Sequence, residues 1–331
     1  MTSPIPMAEL WRGDMLESFH TGHAVICSAN GEIVEAWGDP TQIIFPRSSC
    51  KMIQALPLIE SGAAEASNLT AEQLALSCAS HQGAAIHTKS VGSWLASLGM
   101  SHDDLRCGAQ PSSDSDERKR LILEHESPCQ LHNNCSGKHA GFLTLNQHIG
   151  GGSEYIDLSH PVQTAVKAAF EEVTQETSSG YGIDGCSAPN HTTSVHGLAR
   201  AMAFFAAARE GQGTRETAAA KLVNAMRTYP ELVAGETRAC TELMRAMDHK
   251  VAIKTGADGV FVAILPDQKL GVALKITDGA TRASECAIAA ILVKLGVLDA
   301  NHPATLKRMN APQINWRGVT AAWIRPSAAL A

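Results

Sequence analysis

Apolar residues run in short blocks near the two ends of the chain and recur at helical spacing through its middle. His23-Ala-Val-Ile-Cys27 and Glu32-Ile-Val-Glu-Ala-Trp37 read as strands, and the Asn30-Gly31 pair between them is a strong hairpin signal. Residues 251–253, 259–265 and 270–276 form a second set of β-like runs. From about residue 70 to 248 the pattern is helical. Thr70-Ala-Glu-Gln73 is a capping box, and Pro161 opens a helix reaching residue 173. Residues 193–209 carry the stripe Leu198, Met202 and Phe205, and residues 214–229 stop before Pro230. A last helix is read at residues 280–295, followed by a tail with an edge strand near 319–324. This order predicts an α+β (mixed α/β) fold: one antiparallel sheet flanked by helices, plus a helical subdomain. The sheet part is drawn at about 8–45 and 249–300 and the helical part at 48–248, all within a single domain, 1–331.

At 331 residues and 44% hydrophobic, the chain can bury a sizeable core. A net charge of −6, with no Lys/Arg block, argues against nucleic acid and against anionic membrane surfaces as partners. No basic-then-apolar leader and no uninterrupted apolar run of spanning length is seen, so a cytoplasmic location is expected. The nine cysteines are irregularly spaced in a chain too large to need staples, which fits reduced thiols.

The chemistry centres on Phe45-Pro-Arg-Ser-Ser-Cys-Lys-Met-Ile-Gln54. Pro46 suits the entry to a helix, and Ser48 or Ser49 is read as its N-cap. Ser48 and Lys51 then lie one turn apart on one face. This S-x-x-K spacing lets an amine, rather than an imidazole, take the proton of an attacking hydroxyl. Lys254-Thr255-Gly256 closes a later strand. S-x-x-K, then a serine loop, then K-T-G is the order of the serine β-lactamase and penicillin-binding-protein superfamily. The middle S-D-N element has its nearest match in Ser80-His81-Gln82, with Asn133-Asn134 as a second source of amides. That departure weakens an antibiotic-hydrolysing reading more than it weakens the fold. The backbone N–H groups of Ser48 and Ala257 are the candidate oxyanion donors.

A second cluster is Asn133-Asn-Cys-Ser-Gly-Lys-His139 with Asp184-Gly-Cys186. It offers thiolates and nitrogen donors for a borderline-soft metal such as Zn²⁺. On spacing alone, two ordinary loop cysteines are the better reading, since no Cys-x-x-Cys or His-x-x-x-His is present.

Six ordered segments together resemble the rhizobial-type L-asparaginases: Pro46–Lys51, Cys78–His81, Asn133–His139, Gly182–Cys186, Arg238–Met244 and Lys254–Gly259. The resemblance covers about residues 8 to 297. It implies a serine-β-lactamase-like fold, a homodimer, and hydrolysis of L-asparagine to L-aspartate and ammonia. It also implies the dyads Ser48/Lys51 and Ser80/Lys254, and zinc held by Cys135, Lys138 and Cys186 with Asp184 close by. Ser48 is then the expected nucleophile and Lys51 its base, with Ser80 and Lys254 relaying a proton to the leaving ammonia; the two serines could exchange roles. Zinc would orient the α-amino or α-carboxylate group of the substrate, with Arg47 and His139 as further contacts. A β-lactamase or peptidoglycan hydrolase and a non-catalytic binding protein of the same fold are the rivals. Ammonia release from L-asparagine, set beside a cephalosporin assay, separates the three.

Overall fold

The computed structural model describes residues 3–330. The chain divides into two compact units, one of Met1–Ser49, Thr192–Ala207 and Glu242–Ala331, the other of Cys50–His191 and Ala208–Thr241.

The first unit is built on an eight-stranded antiparallel sheet. Its order is Ala311–Ile314, Thr320–Pro326, Ile5–Arg12, Met15–Ser28, Leu270–Ile276, Val260–Leu265 and Ala252–Thr255, with Ile33–Trp37 also paired to Met15–Ser28. The predicted hairpin is present: Gly31 N donates to Ser28 O at 2.9 Å, and Ala24 faces Trp37. Every residue of Val260–Leu265 is buried, so both faces of the sheet are covered there. The helices Val195–Ala207 and Thr281–Lys294 pack on these strands and supply that cover. The stripe at Leu198, Met202 and Phe205 is fully buried, as its helical spacing requires.

The second unit is helical. Its central helix, Ser136–Ile149, is buried at every position from Ser136 to Asn146, because five other helices pack on it: Leu56–Glu60, Ala63–Ala66, Ala71–Ser77, Ala85–Ser97 and Pro161–Thr174. The capping box at Thr70 forms as read, with Thr70 N donating to Gln73 Oε1 at 2.8 Å. Among the described residues, no helix is long and apolar enough to cross a membrane.

Three expectations are corrected. Neither Ser48 nor Ser49 caps an α-helix. Residues Arg47–Cys50 form a 3₁₀ turn, and Ser49 Oγ donates to Pro46 O at 2.7 Å instead of to a helical N–H. The segment 192–207, drawn with the helical part, belongs to the sheet unit because its apolar stripe is buried against the sheet. The strand Thr320–Pro326 is no edge: it pairs with Ile5–Arg12 on one side and with Ala311–Ile314 on the other. Pro312 inside that last strand had masked it, and the true edge is where a proline is tolerated.

Candidate active site

In the sheet unit, the S-x-x-K turn meets the K-T-G strand end. Arg47 has φ +55, a left-handed value that is costly for a residue with a Cβ. Its guanidinium pairs with Asp258 in a charge-assisted hydrogen bond. A Cβ at Gly256 would sit 2.6 Å from Pro46 O and 3.2 Å from Ser49 N, so only glycine allows this approach. Lys254 is 1% exposed and donates to Thr255 O at 2.8 Å. Ala257 is exposed just beyond Gly256, and Ser48 is half-buried. Arg47, Asp258, Lys275, His23 and Phe45 line a pocket of about 420 Å³ within this unit. Burial lowers the pKa of Lys275 and, separately, that of His23.

In the helical unit, Lys51 opens the helix Lys51–Gln54 and is 1% exposed. Its Nζ lies 3.0 Å from Ser80 Oγ and 3.2 Å from Cys135 Sγ, and it also donates to Ala79 O. Ser80 is on a loop held at both sides. Ser80 N donates to Val233 O at 2.8 Å, and His81 N donates to Asn134 O at 3.2 Å. The second bond ties the serine loop to the Asn133–Cys135 turn. Asn133 Oδ1 accepts from Cys135 N at 2.9 Å, and Asn134 Oδ1 lies 2.9 Å from Cys135 Sγ.

One turn along the central helix, Lys138 is 3% exposed and its Nζ stands 3.0 Å from Cys186 Sγ. Cys186 occupies the turn between the strands Tyr181–Ile183 and Pro189–His191. Asp184 shapes that turn, its N donating to Ala188 O at 3.0 Å and its Oδ1 accepting from Gly185 N at 2.8 Å. The two thiols are a hydrogen-bonded pair. A hydrogen bond from Cys135 holds the Cys186 thiol well below its ordinary pKa, with Lys138 and His139 adding to the effect. The same bond, then burial, pushes Cys135 well up. Burial pulls Lys138 down, but the sulfur charges beside it win, and its pKa stands above the usual lysine range. Burial lowers His139 to about 4, so its ring is neutral at pH 7. Tyr155 OH accepts from Arg106 N at 2.8 Å and offers its proton to His139 Nδ1 at 2.9 Å. That leaves the ring proton on His139 Nε2, which is buried, with the Cys186 sulfur as its neighbouring acceptor.

Cys135, Lys138 and Cys186 would hold a zinc ion only with Lys138 deprotonated, since an ammonium has no lone pair; two sulfurs and one amine nitrogen are then a donor set that Zn²⁺ accepts with a fourth position open. The Nε2–H of His139 has no role in ligation in this tautomer and is a donor for a sulfur or a substrate oxygen.

Thus the helical unit gathers Lys51, Ser80, Cys135, Lys138, His139 and Cys186, with Asp184 in the Cys186 turn. The sheet unit gathers Arg47, Ser48, Lys254 and Ala257. The sequence reading missed Tyr155, which orients His139 from 16 positions away and lies in no motif. It also passed over Asn134 as a partner of Cys135, although that residue stands inside the quoted segment.

A sequence profile for the family described as L-asparaginase II matches residues 8–326. No curated protein sequence matches the chain. Solved structures similar to it include Mglu in its tris and glutamate form, with TM-score 0.48, 12% identity, and coverage of 85% of this chain and 60% of that one. A β-lactamase from Mycobacterium bovis has TM-score 0.44 and 13% identity, covering 82% of this chain and 94% of the other. The octameric penicillin-binding protein homologue from Pyrococcus abyssi has TM-score 0.40 and 12% identity, covering 93% and 84%.

Proposed function

The chain belongs to the L-asparaginase II family and is an amidohydrolase; from that premise we propose that it hydrolyses L-asparagine to L-aspartate and ammonia through a serine activated by Lys51. The observation that supports the reading is the buried contact of 3.0 Å between Lys51 Nζ and Ser80 Oγ, a lysine–serine pair that differs from the expected Ser48/Lys51 and Ser80/Lys254 dyads and supplies the proton path. A hydroxyl and an amine at that distance can exchange a proton directly.

Ser48, three residues before Lys51, is the nucleophile in this scheme. Its Oγ adds to the side-chain amide carbon of asparagine while its proton passes to the amine of Lys51. The negative charge forms on the carbonyl oxygen, and the backbone N–H groups of Ser48 and Ala257 are assigned to it. Collapse of the tetrahedral species breaks the C–N bond. The leaving nitrogen takes up the proton that Lys51 passes along Ser80 Oγ, and departs as ammonia. An aspartyl ester of Ser48 remains. Water then attacks the ester, Lys51 accepts its proton, and L-aspartate leaves with Ser48 Oγ reprotonated. Lys254 and Arg47 are assigned to charge balance and to the substrate carboxylate, on the strength of the K-T-G and S-x-x-K motifs. Zinc bound by Cys135, Lys138 and Cys186 would supply a positive centre that orients the α-amino or α-carboxylate group. A homodimer and a cytoplasmic location complete the proposal.

Mass spectrometry after rapid acid quench with L-asparagine tests the nucleophile. An aspartyl adduct on the peptide containing Ser48 is expected. An adduct on the Ser80 peptide would exchange the roles of the two serines, and turnover of a cephalosporin without ammonia release from asparagine would overturn the activity.

A further inference from the structure

On the helical unit, a pocket of about 600 Å³ that is lined by none of the Lys51-cluster residues lies beside the hairpin that carries Cys186. Its walls include Asp157, Thr164, Lys167, Tyr181 and His191. His191 is 5% exposed, and its Nε2 has no hydrogen-bond partner among the described residues. The ring is held by aromatic neighbours, with centroids 6.1 Å from Phe170 and 6.2 Å from Tyr181. A buried nitrogen left without a partner costs free energy unless a ligand or water meets it. Burial, with the Lys167 charge adding to it, lowers the His191 pKa and keeps the ring neutral. The ring then offers one N–H and one lone pair instead of a charge.

We propose that this pocket binds the head group of an α-amino acid, its carboxylate on Lys167 and His191 and its ammonium on Asp157. The wall carries one cation and one anion besides the unpartnered histidine, and a zwitterion matches both signs. A plain anion or a plain amine would leave one of them facing a like charge. Lys167 is exposed, and its pairing with Glu171 at 3.8 Å is loose enough to yield to a carboxylate. Tyr181 and His191 face each other across the hairpin whose turn presents Cys186. A ligand seated here therefore stiffens the strand pair behind that cysteine. This inference does not depend on the asparaginase reading, because the pocket lies outside the residues that reading uses.

The test is calorimetry on the full-length protein with glycine, which carries the head group alone, and with L-aspartate, acetate and methylamine. Glycine should bind saturably, whereas acetate and methylamine, each with half the head group, should not. Lys167→Gln and His191→Phe, the second preserving the aromatic packing, should each weaken glycine binding about tenfold or more, the effect of losing a hydrogen bond to a charged group. Hydrogen exchange of residues 181–191 should slow with glycine in the wild type but not in Lys167→Gln. Equal binding of acetate, or unchanged glycine affinity in Lys167→Gln, would overturn the proposal. Lost glycine binding beside intact asparagine hydrolysis is the expected phenotype of the variants. Absent hydrolysis beside intact glycine binding refutes the catalytic reading alone.

Discussion

Lys51 Nζ lies 3.0 Å from Ser80 Oγ, although the two residues are 29 positions apart in the chain. The loop that brings the serine in is fastened by Val233 O and Asn134 O, so the pair is fixed by backbone and not by side-chain rotamers alone. With Cys135 Sγ 3.2 Å from the same amine, one lysine touches both the serine and the sulfur cluster. The proposed proton transfer and the proposed metal position therefore share this lysine.

The first prediction concerns that pair. Ser80→Ala and Lys51→Met should each lower kcat by about 10²–10⁴-fold, the usual range for a positioned acid–base group. The double variant should be little worse than the poorer single one, because groups acting as a unit are not additive. Steady-state kinetics on the three proteins decides the matter, and multiplicative losses would mean that the two side chains act separately.

The second prediction concerns zinc. Cys135→Ala and Cys186→Ala should remove bound zinc, measured by metal analysis, and raise KM far more than they lower kcat. An orienting interaction is made equally in ground and transition states, which is why it appears in KM. A collapse of kcat at unchanged KM would transfer the role of nucleophile to a metal-bound water. Tyr155→Phe, which releases His139 Nδ1, should move zinc content less than either cysteine variant does.

Much of the fold was legible because its elements carry local signals. The Asn30-Gly31 turn, the Thr70 capping box and the short apolar runs at residues 260–265 and 270–276 each fix an element from neighbours a few positions away. The candidate site was legible to the extent that motifs bracket it: Lys51, Ser80, Cys135, Lys138 and Cys186 are within one buried unit, each inside a quoted segment. What escaped reading depends on long-range packing. Tyr155 reaches His139 through the turn between two helices, and the strand Ala311–Ile314 exists only because Thr320–Pro326 is there to pair with it. The 3₁₀ turn at Arg47–Cys50 escaped for another reason. Arg47 is held left-handed beside Gly256 and Asp258, and nothing near it in sequence announces that.

A third prediction follows from Glu117, which is 5% exposed and bonded to Arg120 at 2.7 Å and to His132 at 3.2 Å. The hydrogen bond from Arg120 holds its folded-state pKa below the ordinary carboxylate value, despite burial. A carboxylate lowered on folding contributes stability above its unfolded pKa and loses it as pH falls through the folded one. Denaturant midpoints should therefore fall as the solution is taken below about pH 4.5, the ordinary value for this group. Glu117→Gln should cost about 1–3 kcal/mol at neutral pH and make the acid slope shallower, since the titrating group is gone. An identical slope in the variant would assign the acid sensitivity to other carboxylates, with Glu242 beside Arg308 the next to replace.

The last prediction isolates the approach of the K-T-G strand end to the S-x-x-K turn. An added Cβ at Gly256 would lie 2.6 Å from Pro46 O, a backbone atom with no rotamer to change. Gly256→Ala must therefore push the Pro46–Ser49 turn away, and Ser48 with it. Overpacking of this kind costs about 1–3 kcal/mol, a fall in Tm of only several degrees in a chain of this size. A displacement of about 1 Å at a nucleophile, by contrast, can cost about 10²-fold in rate. Gly256→Ala should thus remain folded, lose about 10²-fold in kcat, and bind zinc as the wild type does. Gly152→Ala is the control, since an added Cβ there meets nothing within 4 Å. It should leave rate and Tm unchanged. Full activity in folded Gly256→Ala would show that the position of the Ser48 turn does not matter to the reaction, and would remove Ser48 from the role of nucleophile.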